Sequence, residues 1–186
     1  MAITVLEKFP TIFFETMLEK QAAYNVLDEV VSKKDKIKQI SSATIDQSTE
    51  NYATDYNNPI ELESFNFVLE GLAELFYTEH KLKFELAEYW VAMYKDAGYH
   101  SMHTHSNSIF SGSPNYSGVL YLSNIGGTRL FTDKAYVLES SFTADSEFGK
   151  IFCFPSKIVH EYTPNELGND DRYVVAFNFN LTHEQN

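Results

Sequence analysis

Hydrophobic positions along the chain fall into two regimes. Between residues 16 and 40, Met17, Leu18, Ala22, Val26, Leu27, Val30 and Val31 recur every three or four positions, which predicts an amphipathic helix. Residues 41–59 are rich in Ser, Thr, Asn and Asp and predict a loop. Pro59 suits the first position of a second helix, with Glu61 and Glu63 at the positive end of its dipole. Phe65, Val68, Leu69, Leu72, Leu75 and Phe76 carry that helix to about Tyr77. From Leu82 the texture changes to short aromatic and β-branched runs. Strands are predicted near 83–95, 99–106, 117–124, 128–132, 136–139, 150–154 and 172–181, punctuated by Gly98, Gly112–Ser113–Pro114, Gly126–Gly127, Pro155–Ser156 and Gly168–Asn169–Asp170. Such spacing suggests a sandwich or barrel. The expected architecture is mainly β with flanking α. It forms one domain over 1–186, with a helical flank over about 1–80 packed on an antiparallel double sheet over about 82–182.

Composition narrows the function classes. With 186 residues, 44% hydrophobic and 15% aromatic, the chain has ample material for a core, which excludes global disorder. The formal net charge is -12. The basic run Lys33, Lys34, Lys36 and Lys38 is interrupted by Asp35 and reads as a solvated helix face, so neither nucleic acid nor an anionic membrane surface is an expected partner. The single cysteine, Cys153, lies between Phe152 and Phe154 and reads as a small core residue, which excludes an internal disulfide framework. The start of the sequence has no basic leader followed by an apolar segment. No run of about 18 apolar residues occurs either, so a cytoplasmic location is expected.

Three of the six histidines crowd into Tyr99–His100–Ser101–Met102–His103–Thr104–His105. Residues two apart on a strand share a face, so His103 and His105 point together, with Asn107 next, while His100 has the opposite parity and is expected to face away. Two imidazoles on one face can converge on a first-row metal ion. His160, just past the apolar run Phe152–Phe154 and its Pro155–Ser156 turn, is the candidate third ligand. Without a cysteine-rich set, a structural zinc site is less favoured than iron. His80 and His183, at a helix end and near the end of the sequence, read as surface residues.

The order of motifs adds to this. His103–Thr104–His105, then Ser117–Gly118–Val119–Leu120–Tyr121–Leu122, then Phe154–Pro155–Ser156 with His160, then Arg172 through Phe177–Asn178 resembles the 2-oxoglutarate/Fe(II)-dependent oxygenase superfamily. The pattern HxH, SGxxYL, FPSxxxH, RxxxxFN is most similar to small bacterial and phage members of that superfamily, and the likeness covers about residues 88–180. It implies a double-stranded β-helix, a cupin-like jelly-roll with a metal at its open end. It implies Fe(II) held by His103, His105 and His160, 2-oxoglutarate as cosubstrate and O2 as oxidant. Arg172 matches the arginine that grips the distal carboxylate of 2-oxoglutarate, a task suited to its planar fork. Tyr121 matches a tyrosine that reaches the same carboxylate.

The sequence departs from the superfamily at two points. His105 stands where a carboxylate ligand is usual, with Asn107 as an alternative occupant of that position, and Val174 stands where many members carry Ser or Thr. The stretch 108–116 is longer than in similar proteins and is read as a lid or substrate loop. Residue by residue, Arg172 could instead pair with a neighbouring acid such as Asp171, and Tyr121 could be core. The expected activity is therefore an Fe(II)- and 2-oxoglutarate-dependent dioxygenase, hydroxylating a protein side chain such as prolyl or a small molecule. The alternatives are a cupin-like metalloenzyme that does not use 2-oxoglutarate, or a non-catalytic jelly-roll binding module.

Overall fold

The computed structural model describes residues 2–8, 11–41, 52–54, 59–95, 98–105, 114–131, 141–163 and 171–183. In chain order its elements are β1 (Thr4–Lys8), β2 (Thr11–Met17), α1 (Lys20–Ser32), α2 (Lys34–Ile40), β3 (Tyr52–Ala53), α3 (Glu63–His80), β4 (Leu82–Tyr94), β5 (His100–His103), β6 (Tyr116–Tyr121), β7 (Gly127–Phe131), β8 (Ser141–Asp145), β9 (Lys150–Pro155), β10 (Val159–Tyr162) and β11 (Arg172–His183). They form a seven-stranded sheet in the order β1-β2-β9-β6-β11-β4-β3 and a four-stranded sheet in the order β5-β10-β7-β8. All the pairings are antiparallel, in keeping with the sandwich that the strand spacing suggests and the jelly-roll that the resemblance implies.

Alternation along the central strands builds two cores. On β11, Tyr173, Val175, Phe177 and Phe179 pack with Val26, Val30, Phe65, Leu72 and Phe76 of the helices. Val174 and Ala176 face the other way, toward the small sheet, together with Val119 and Tyr121 of β6, Phe152 and Phe154 of β9, and Ala92 and Tyr94 of β4. Helices therefore cover one face of the large sheet, and the small sheet covers the other. A polar side chain on the second face is enclosed between two sheets, and the candidate site lies there. Gly118 keeps the helical side closed, because a Cβ at that position would run into the Phe177 ring.

The fold differs from the sequence reading in several places. The amino-terminal region is not purely helical: β1 and β2 extend the large sheet, with Phe14 opposite Cys153. Because β2 buries Phe13 on one face and Phe14 on the other, it reads as a continuous apolar run with no strand alternation. The first predicted helix begins at Lys20 and breaks at Lys33, which caps α1 and opens α2. Within the expected loop, Tyr52–Ala53 pairs with β4 as β3.

The second helix begins at Glu63, not Pro59, and its cap comes from another element. The Glu29 carboxylate of α1 accepts the backbone N–H groups of Glu63 (3.0 Å) and Ser64 (2.9 Å). Strand β10 is not among the strands predicted from the sequence. The expected strand at 136–139, Asn107 and the stretch 108–113 lie outside the described residues. Among the described residues, no helix is long and apolar enough to cross a membrane.

Candidate metal centre

Antiparallel pairing of β5 with β10 sets His103 directly opposite His160. His105 follows the end of β5, and its backbone N–H donates to the Ser156 carbonyl (3.0 Å) in the turn after β9. The three imidazoles meet: centroids are 4.2 Å apart for His103–His160, and 4.9 Å for both His103–His105 and His105–His160. One nitrogen from each lies within 4.8 Å of the others, so the cluster is positioned to bind a metal ion. Phe154 at 4.6 Å from His160 and Trp90 at 5.2 Å from His105 form apolar walls.

Each ring is held through its Nδ1 atom. His103 Nδ1 faces the Ser101 carbonyl at 2.7 Å, His160 Nδ1 the Ile158 carbonyl at 2.9 Å, and His105 Nδ1 the Asn178 Oδ1 at 2.7 Å. A carbonyl oxygen only accepts, so each Nδ1 carries the proton and each Nε2 keeps its lone pair. Metal-binding histidines generally have this arrangement, with an outer acceptor fixing the tautomer. The chemistry of the donor set thus fits a divalent ion that accepts imidazole nitrogen. Burial also keeps the rings neutral: it pushes His105 down to about 4, lowers His103, and holds His160 well below the ordinary imidazole value. An unprotonated imidazole is the form that ligates.

His100 does not face away. Going from His160 to Tyr162 on β10, the partner on β5 moves from His103 to His100, three residues against two. This extra residue is a β-bulge, which reverses the parity and returns His100 to the face shared with His103. The two rings stack at 4.1 Å, and His100 lines the same cleft, its value lowered to about 3 by burial first and by the neighbouring rings second.

Arg172 is fully buried at the start of β11. Its guanidinium lies 4.4 Å from the centroid of the Tyr162 ring and 5.1 Å from that of Tyr94, and both tyrosines line the histidine cleft. Nη1–H donates to the Thr163 carbonyl at 2.7 Å and Nη2–H to the Gly98 carbonyl, while Nε has no partner among the described residues. Asp171 does not pair with it. That carboxylate is taken by Lys34, so among the described residues Arg172 has no ion-pair partner, and Asp170 lies outside them. A buried guanidinium stays charged, and a buried charge is costly unless something compensates it. The free Nε–H and the lack of an acid partner among the described residues fit an anion such as one end of a diacid. Gly126, at φ 75°, makes room: a Cβ there would collide with Nη1.

Tyr121 is fully buried between the sheets, and its hydroxyl donates to Thr128 Oγ1 at 2.7 Å. Thr128 lines the cleft, and the Tyr121 ring stacks over Tyr162 at 6.4 Å. In the sequence, Ser117, Ser156 and Asn178 stand out only as parts of motifs, and nothing singles out Glu88, Tyr94 or Tyr162. Ser117 Oγ–H donates to Asn178 Oδ1 (2.7 Å) and Ser117 Oγ lies 2.9 Å from Ser156 Oγ, all three residues being buried. A signal for these three exists: each is a small polar residue inside or ending an apolar run, and buried polar groups require partners.

No protein-family model and no curated protein matches the sequence. Solved structures are similar in fold. A prolyl-4-hydroxylase from Pseudomonas putida superposes with TM-score 0.64 at 16% identity, over 93% of each chain. The viral collagen prolyl hydroxylase of Paramecium Bursaria Chlorella virus-1, solved as a 2-oxoglutarate complex, gives 0.59 at 15% identity, over 90% of this chain and 94% of the other. HygX from Streptomyces hygroscopicus, with nickel and 2-oxoglutarate bound, gives 0.59 at 12% identity, over 91% and 83%. A cluster of three histidines positioned for a metal, enclosed between two antiparallel sheets, thus sits in the jelly-roll fold of the 2-oxoglutarate- and iron-dependent oxygenases, and that is the fold of this chain.

Proposed function

We propose that the protein is an Fe(II)- and 2-oxoglutarate-dependent dioxygenase that hydroxylates a protein side chain, such as prolyl, or a small molecule. The observation that carries this reading is the pairing of a histidine cleft with a buried arginine packed against two of the residues that line it. Three imidazoles converge through free Nε2 atoms, and a fully buried arginine with no acid partner among the described residues stands on two tyrosines of the same cleft wall. The similar structures support it, since they include a prolyl hydroxylase with a hypoxia-inducible-factor peptide and HygX with hygromycin B.

In this reading His103, His105 and His160 hold the metal, and Arg172 binds the distal carboxylate of 2-oxoglutarate. Tyr121 supports that end of the cleft through Thr128. When bound, iron with 2-oxoglutarate and O2 supplies oxidative decarboxylation to succinate and CO2 and places one oxygen atom in a substrate C–H bond. The chain itself fixes the ligand tautomers, binds the distal carboxylate of the diacid through Arg172 and lines the site with Trp90, Phe154 and Tyr94, which exclude water. Three neutral imidazoles leave an Fe(II) ion with its full double charge, and a 2-oxoglutarate dianion balances it.

Anaerobic addition of Fe(II) and then 2-oxoglutarate tests the reading. A visible metal-to-ligand absorption band, with succinate formed on admitting oxygen, is the expected result; absence of both refutes it. Among the described residues the cluster holds no carboxylate, which favours one second reading, a cupin-like metalloenzyme without 2-oxoglutarate. Metal-dependent turnover that survives Arg172→Ala would select that alternative.

A further inference from the structure

Glu88 lies on β4 directly opposite Asn178 of β11, and Ser117 of β6 lies opposite Asn178 on its other side. Asn178 Nδ2–H donates to Glu88 Oε1 at 2.8 Å, while its Oδ1 accepts from Ser117 Oγ–H at 2.7 Å and faces His105 Nδ1 at 2.7 Å. A carboxylate only accepts, so it settles which end of the amide faces it. The nitrogen of Asn178 must point to Glu88. Its oxygen must therefore point to His105, so Nδ1 of His105 must carry the proton. The Nε2 lone pair is then left free for the cluster.

We infer that Glu88 is a positioning residue for the metal centre, acting through Asn178 to lock His105 in the Nδ1–H tautomer at the position where a carboxylate ligand is usual in similar oxygenases. This rests on the metal-binding reading above. His103 and His160 are oriented by backbone carbonyls, which cannot turn around. A side-chain amide such as Asn178 can turn around, and its hydrogen bonds to Glu88, Ser117 and His105 set which way it faces. A carboxylate at the far end removes that freedom and polarises the amide, strengthening the acceptor that His105 meets. The chain thus has a carboxylate linked to the cluster, one amide removed from the imidazole that replaces it.

The test compares wild type, Glu88→Gln and the double variant Glu88→Gln/Asn178→Asp. Long-range 1H–15N spectra of histidine-labelled, metal-free protein read the His105 tautomer, and chelator competition with Mn(II) reads affinity. An amide at position 88 can donate to Asn178 Oδ1 and so permits the Asn178 amide to turn. The single variant is therefore expected to lose the pure Nδ1–H form and to bind Mn(II) roughly ten- to a hundredfold more weakly, with its melting temperature retained. In the double variant the carboxylate introduced at position 178 accepts from both the amide at position 88 and His105, so tautomer and affinity are expected to return. A single variant that keeps both the wild-type tautomer and the wild-type affinity overturns the inference. Wild-type protein that binds no Mn(II) would instead refute the metal reading, and the spectra would still show whether Glu88 sets the tautomer.

Discussion

His100 stacks on His103 with ring centroids 4.1 Å apart and 22° between their planes, although the two stand three residues apart on one strand. An ideal strand would put them on opposite faces; the bulge against β10 puts them on the same one. His100 is therefore a wall of the cleft that braces a candidate ligand. His103→Ala and His160→Ala are each expected to abolish Mn(II) or Fe(II) binding. His100→Ala, on this geometry, weakens it by roughly tenfold. Calorimetric titration of the three variants checks the ranking, and wild-type affinity in the His100 variant would show that the stacking has no consequence for the centre.

Arg172 and the metal cluster should be separable by mutation. Arg172→Ala is expected to cost about 2–5 kcal/mol in 2-oxoglutarate binding, or at least roughly thirtyfold in Kd, with metal affinity retained. Gly126→Ala is expected to act in the same direction, because its new Cβ would occupy the place of Nη1. Equilibrium binding of 2-oxoglutarate to the Mn(II)-loaded variants measures this. Parallel loss of metal and cosubstrate would mean that the arginine supports the fold as a whole.

The buried imidazoles make acid destabilising. Their folded-state values lie below the ordinary value near 6.5, with His105 at about 4 and His100 at about 3, so the unfolded chain takes up protons first as pH falls. The stability they contribute is complete above about 6.5 and is lost as pH falls from there toward about 3. The metal-free protein should thus melt at progressively lower temperature between about pH 7.5 and about pH 5. A melting temperature that is flat or rising over that interval contradicts the burial of these rings.

Glu29 supplies a cap across a sequence separation of more than 30 residues. It accepts the first N–H groups of α3 and an ion pair from Lys33, and its carboxyl sits at about 2, below the ordinary 4.5, held down by Lys33 and Ser64 against the opposing effect of burial. Glu29→Ala is expected to cost about 1–2 kcal/mol near neutral pH, comparable to losing a strong helix cap. Because the folded value is depressed, the contribution is present above about 4.5 and disappears as pH falls through about 2. Denaturant unfolding at about pH 7 and about pH 2 would show the difference between variant and wild type shrinking; an equal difference at both would assign the effect to packing.

Much of this molecule is legible in one dimension. The strands read at 83–95, 117–124, 128–132, 150–154 and 172–181 correspond closely to β4, β6, β7, β9 and β11, because aromatic and β-branched runs between turn residues mark them. The spacing of His103, His105 and His160 among apolar runs points to one cluster, which the structure brings together. Strand β2 stays hidden because a strand buried on both faces loses its period, and β10 because four residues carry too little pattern.

By itself, the sequence determined the chemistry available and the side of each regular strand on which it lies, since a period of two follows from backbone geometry. Only the tertiary structure decided how strands register and which distant groups meet. A single extra residue in β5 turned His100 into the cleft, Glu29 of one helix closed the start of another, and Glu88 came to rest behind Asn178 and His105. Those outcomes depend on pairing energies and hydrogen bonds between segments remote in the chain, and a local pattern of hydrophobic and polar positions carries no record of them.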